Sequence, residues 1–122
     1  MQTKDFSFLA ELVAYTGNVR LAHWQADSVN NAHAALGGLY EAMEGLTDTL
    51  AEMVLGKAGS RELPGAKLDL VAGFDHAELV AGGLELVGEI RGEMEGGKDD
   101  DALNVLADMS AALNKAKYLL ML

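Results

Sequence analysis

The chain has no cysteine, a single proline (Pro64), a single tryptophan (Trp24) and only nine lysines and arginines against nineteen aspartates and glutamates. The missing cysteine excludes disulfides and thiolate metal sites. The shortage of basic residues, with a formal net charge of -10 at neutral pH, argues against a nucleic-acid partner, because phosphate contacts need clustered Lys and Arg and the few present are scattered. No stretch approaches 18 consecutive apolar residues and no basic segment precedes an apolar run near the N-terminus, so neither a membrane span nor a secretory signal is expected. The exposed faces read as acidic rather than basic, which also disfavours membrane-surface binding. The expected setting is the cytoplasm. What remains is 122 residues, half of them apolar, enough for one domain over residues 1–122 with a modest core.

The apolar residues fall at helical spacings throughout, and no strand pattern competes with them. A first segment, about residues 5–26, aligns Leu9, Leu12, Val13, Thr16 and Val19. Asp27 or Ser28 offers an N-cap for a second segment over about 29–55. That segment carries Leu36, Leu39, Tyr40, Met43, Leu46, Leu50 and Val54 on one face, with Gly56 placed to end it. Residues 56–67 read as a long connection. A third segment lies between residues 68 and 95, closed by Glu95-Gly96-Gly97-Lys98, and a fourth begins at Asp99 to Asp101, whose acids suit a helix N-terminus. Four amphipathic helices with short, long and short links predict an all-α four-helix bundle with a crossover between helices two and three.

Chemistry concentrates in the first two segments. His23, His33, Asp48 and Glu52 are imidazoles and carboxylates, the ligand types that iron, zinc and manganese accept. One helix cannot gather them, since at about 1.5 Å per residue His33 and Asp48 lie roughly 22 Å apart. An antiparallel second copy of the same helix would place His33 of one chain beside Asp48 and Glu52 of the other, so the pattern predicts self-association through helix two, as a homodimer or larger homo-oligomer. With about 100° of turn per residue, His33, Glu41, Glu44, Asp48 and Glu52 lie away from the apolar stripe. Such a face is ordinarily a solvated one. Ala34, Gly37, Gly38, Ala42 and Gly45 lie on or beside it. Glycine inside a helix costs about 1 kcal/mol against alanine, which points to close approach by another element.

His23 aligns with Leu12, Thr16 and Val19, so a backbone-bonded interface histidine is an alternative to a ligand. His76 has no carboxylate at a convincing spacing and reads as a surface or capping residue. Trp24 reads as packing rather than chemistry, and Tyr15, Tyr40 and Tyr118 as core-edge residues. No Glu-x-x-His pair, phosphate-binding glycine loop or serine-nucleophile elbow occurs.

Leu21-Ala22-His23-Trp24-Gln25, then His33, then Asp48 with Glu52 four residues on, resembles the ferroxidase signature of the Dps family, the starvation-induced ferritins that oxidise and store iron. The tail, with Lys115 three residues before Tyr118-Leu119-Leu120, is similar to that family's last helix. The resemblance spans nearly the whole chain, although only the His/Trp and Asp/Glu segments are specific. It implies a ferritin-like bundle, iron at a two-fold dimer interface, His23, His33, Asp48 and Glu52 as ligands, and Trp24 beside the centre. Two departures stand out. The stretch from His23 to His33 is shorter than in the family, and Gly37 occupies the position one turn after His33 where an acidic ligand is expected. The chain also lacks room for the extra short helix that storage members often insert in the crossover. The alternative is a structural or protein-interaction module that keeps the bundle without the oxidation chemistry, for example a phage-related assembly component.

Overall fold

The computed structural model describes residues 6–27, 31–65, 67, 69–71 and 73–122. Its regular structure consists of α1 (Ser7–Gln25), α2 (Ala32–Ala58), α3 (His76–Gly92) and α4 (Asp100–Leu120), with no strand among the described residues. The all-α, four-helix expectation therefore holds. α1 packs on α2, α2 on α4, α4 on α3, and α3 more lightly on α1. No described helix is long and apolar enough to cross a membrane.

The amphipathic stripes meet inside this ring. Leu12 and Val19 of α1, Leu36, Met43 and Leu50 of α2, Val87 and Ile90 of α3, and Leu106, Met109 and Leu113 of α4 are almost fully buried in one cluster. Fully burying a side chain of this kind contributes about 1.5–3 kcal/mol, so the cluster dominates the favourable side of folding. The opposite face of α2 is polar as the wheel requires: Glu41, Glu44, Asp48 and Glu52 are all exposed. Two threonines break the apolar pattern. Thr16 and Thr47 are buried, and neither hydroxyl has a hydrogen-bond partner.

Helix ends depart from expectation. α2 does not stop at Gly56 but continues to Ala58 and is closed by Gly59, whose φ of 70° is the left-handed conformation that glycine adopts without a Cβ penalty. Gly56 and Gly59 are both plausible stops in sequence, and only the backbone turn selects between them. At the other end Asn31, not Asp27, is the cap residue of α2, and no side chain caps it. The Asp27 carbonyl instead accepts from the His33 N–H at 3.3 Å, while Ser28 lies outside the described residues. α3 is capped by Asp75, which accepts from the Glu78 N–H at 2.9 Å. It ends at Gly92, before Glu95-Gly96-Gly97-Lys98. Those four residues form the α3–α4 turn, where Asp99 and Asp100 accept from the N–H groups of Glu95 and Gly97.

The connection over residues 59–75 is anchored to α1 at several levels. Asn18 donates to the Asp69 carbonyl at 3.0 Å and accepts from the Val71 N–H at 2.9 Å, and Gln25 accepts from the Gly73 N–H at 3.1 Å. Leu70 lies over Gly17, where a Cβ would stand 3.0 Å from its methyl carbon. One side-chain amide thus supplies a donor and an acceptor to the connecting backbone, which meets groups that water would otherwise take.

Candidate metal centre

The last turn of α1 carries His23 and Trp24, and the first turn of α2 carries His33. The reversal between the helices lays the two imidazoles face to face, with ring centroids 4.0 Å apart and planes inclined by 23°. Each ring bonds the other residue's backbone. His23 Nδ1 lies 2.7 Å from the His33 carbonyl oxygen, and His33 Nδ1 lies 2.8 Å from the His23 carbonyl oxygen. A carbonyl oxygen only accepts, so each Nδ1 is the donor and carries a proton. The His23 carbonyl belongs to the last turn of α1, where intrahelical partners run out. The Nε2 lone pair of each ring is left for another partner. That is the arrangement that orients metal-binding histidines, in which the second ring nitrogen donates to a carbonyl.

Gly37 is the seat of this pair. A Cβ at position 37 would stand 2.7 Å from His23 Cε1 and 3.0 Å from its Nδ1, closer than any side chain tolerates. The element approaching Gly37 is therefore His23 of the same chain. The intrachain stacking of the histidines occupies the space that a side chain at position 37 would need. Gly38 and Gly45 are different, because nothing lies within 4 Å of a Cβ at either.

Asp48 and Glu52 stand further along the exposed face of α2, about four turns or more beyond His33. The fold thus brings His23 and His33 together and leaves both carboxylates apart from them within one chain. Among the described residues no group of three or more His, Asp or Glu side chains gathers around a common point. His76 opens α3 beside its Asp75 cap, away from this arrangement.

Sequence reasoning passed over Arg20. Its guanidinium carbon lies 5.1 Å from the Trp24 ring centre and 5.1 Å from that of Tyr40, so the cation is held between two aromatic faces. Tyr40 in turn donates to the Glu44 carboxylate at 2.6 Å, and this bond holds the phenol proton and raises the Tyr40 pKa above its ordinary value. Trp24 is 62% exposed; it packs on Arg20 at the surface rather than in the core. The signal was available in the four-residue spacings Arg20/Trp24 and Tyr40/Glu44, which put each pair on one helix face. Arg20, Trp24, Tyr40 and Glu41 border a shallow groove that also reaches His23 and Gly37.

Comparison with protein-family models, with curated proteins and with solved structures finds no match to this chain.

Proposed function

We propose that this chain is a ferritin-like protein that takes ferrous iron as its substrate at sites shared between two copies. His23 and His33 of one copy supply imidazole nitrogens, and Asp48 and Glu52 of a second supply carboxylate oxygens, a donor set that suits iron and accommodates zinc or manganese. Ferrous iron held there is the reductant, and dioxygen or peroxide reaching an open coordination position is the oxidant. The reading rests on the reciprocal imidazole–carbonyl bonds, which leave both Nε2 lone pairs free on rings already fixed in orientation. Gly38 and Gly45, with open space above them, allow an antiparallel second α2 to approach closely.

The helix order supports the ferritin-like part of the proposal. A bundle with short links throughout makes α2 and α3 neighbours, whereas here α2 packs on α4 and α1 on α3. A long crossover between α2 and α3, passing along α1 through Asn18 and Gln25, accounts for that order.

The test is aerobic ferrous titration of the metal-free protein, following ferric absorbance and bound iron per chain. His33→Ala and Asp48→Asn should each lose iron-dependent oxidation while keeping their helical content. Mixing the two variants should restore activity, because each mixed dimer regains one site with His33 and Asp48 intact. Oxidation that survives in His33→Ala, or a mixture that stays inactive although mixed dimers form, would overturn the shared site.

One observation favours a second reading, a structural or interaction module in which the histidines act as a turn clasp. The Nδ1 of each ring is already bonded to a backbone carbonyl of its own chain, and Gly37 supports the stack where an acidic ligand is otherwise expected. Under that reading ferrous iron neither binds nor oxidises faster than in buffer, and His33→Ala changes only stability.

A further inference from the structure

A pocket of about 710 Å³ opens at the end of the bundle, where the last turns of α2, the start of the 59–75 connection and the α3–α4 turn meet. It shares no residue with the histidine pair. Its size falls within the range of roughly 300–1,000 Å³ found for small-molecule sites. The walls are apolar and come from separate elements: Met53 and Val54 of α2, Leu63 and Pro64 of the connection, Met94 beyond α3, and Phe6 before α1. Met53 and Met94, from two different elements, give the pocket an adaptable, polarizable lining. Phe6 has a φ of 59°, a left-handed conformation that is uncommon for a bulky residue. Leu63, at 53% exposure, leaves apolar surface in water at the edge of the pocket.

The polar side selects the class of ligand. Lys57 donates to the Lys98 carbonyl and to Asp101 Oδ1 at 3.5 Å, and its ammonium lies 3.9 Å from the buried carboxylate of Asp99. Its charge is thus compensated by groups of the wall itself. Glu62 and Lys98 also line the pocket, so carboxylates outnumber ammonium groups there. An anionic amphiphile meets a lysine that is already paired and a surplus of negative charge. A cation must compete with Lys57 for Asp99 and Asp101, and the remaining carboxylate, Glu62, is exposed to water, where pairing contributes little. An uncharged molecule gains the apolar walls without either penalty.

We propose that this pocket binds an uncharged, predominantly hydrocarbon small molecule. The test is fluorescence titration of the full chain with the neutral probe N-phenylnaphthylamine, alongside the anionic anilinonaphthalene sulfonate. The neutral probe should bind saturably at one per chain and be displaced by decanol but not by decanoate. Ala58→Trp projects an indole from the exposed end of α2 into the pocket wall, and should weaken binding by roughly tenfold or more, the loss of contact equivalent to about two buried methylenes. Leu63→Asp, on the exposed connection, should weaken it as well, by placing a further charge in the wall. Val13→Trp, on an exposed part of α1 outside the pocket, should leave it unchanged, and circular dichroism should show the same helical content in all three. Non-saturating binding, preference for the anionic probe, or equal binding by the chain and both pocket variants would overturn the proposal. So would loss of self-association in Ala58→Trp without loss of probe binding, which would make this surface a seam between proteins. None of these outcomes depends on iron.

Discussion

The His23 ring lies directly over the α-carbon of Gly37, so close that a single added carbon would stand 2.7 Å from Cε1. Its neighbour Gly38, turned about 100° away around the helix, has nothing within 4 Å of its own Cβ position. Gly37→Ala must displace the imidazole and break its bond to the His33 carbonyl, a cost of about 1–3 kcal/mol from overpacking against which alanine returns about 1 kcal/mol of helix propensity. Gly38→Ala meets nothing and should stabilise the monomeric fold by about 0.4–1 kcal/mol. Urea unfolding of the two variants should therefore move the midpoint in opposite directions. Equal shifts would mean that the histidines do not stack as described.

The two rings should be energetically coupled. His23→Ala and His33→Ala each remove one imidazole–carbonyl bond and the stacking, so whichever is made second costs less. A double-mutant cycle should give a coupling of about 0.5–1.5 kcal/mol. Additive losses would show that each ring acts alone.

The unpartnered hydroxyls of Thr16 and Thr47 are candidates for stabilisation by shape-matched replacement. Leaving a buried polar group unsatisfied costs about 1–3 kcal/mol, and valine removes that loss at nearly the same volume. Thr16→Val and Thr47→Val should each raise the thermal midpoint, as calorimetry would read directly. A fall in either would place a hydrogen-bond partner at that hydroxyl in solution.

The α2 to α4 junction should weaken in acid. The Ala102 N–H first, then the Lys57 ammonium, favour the charged form of Asp101 and hold its carboxyl below the usual aspartate range. A group whose folded value is depressed contributes stability that is present above the unfolded value, near about 4, and is lost as pH falls through the folded value. Asp101→Asn should flatten the dependence of the thermal midpoint on pH in that acid window and leave the slope near neutrality unchanged. An unaltered acid slope would remove Asp101 from the junction.

Tyr40 should show the opposite sign. Its hydrogen bond to Glu44 raises the phenol above its ordinary value, so the contribution is complete below about pH 10 and lost as pH rises through the folded value. Glu44→Gln keeps an acceptor but removes the charge, and should lower the pH at which tyrosinate absorbance appears. No change on that substitution would show that the carboxylate does not hold the phenol.

The sequence by itself determined the helical class and the division of each helix into a buried and a wet face. The spacing of Leu36, Leu39, Met43 and Leu50 leaves no other way to remove those side chains from water, and it puts Glu41, Glu44, Asp48 and Glu52 outside. It also singled out His23, His33, Asp48 and Glu52 by residue type. Helix ends were less legible, because Gly56 and Gly59 offer the same chemistry and the choice depends on where the chain turns. The tertiary structure alone decided the meaning of Gly37. In one dimension it is a glycine where a ligand is expected; in three it is the only residue that leaves room for an imidazole arriving from the preceding helix. His23 and His33 were expected together on one chain as ligands, but their stacking and reciprocal backbone bonds were hidden for the same reason, since a ten-residue separation across a reversal has no period of its own. Contacts within a helix follow from its repeat, whereas contacts across a turn follow from how two packed helices place their ends.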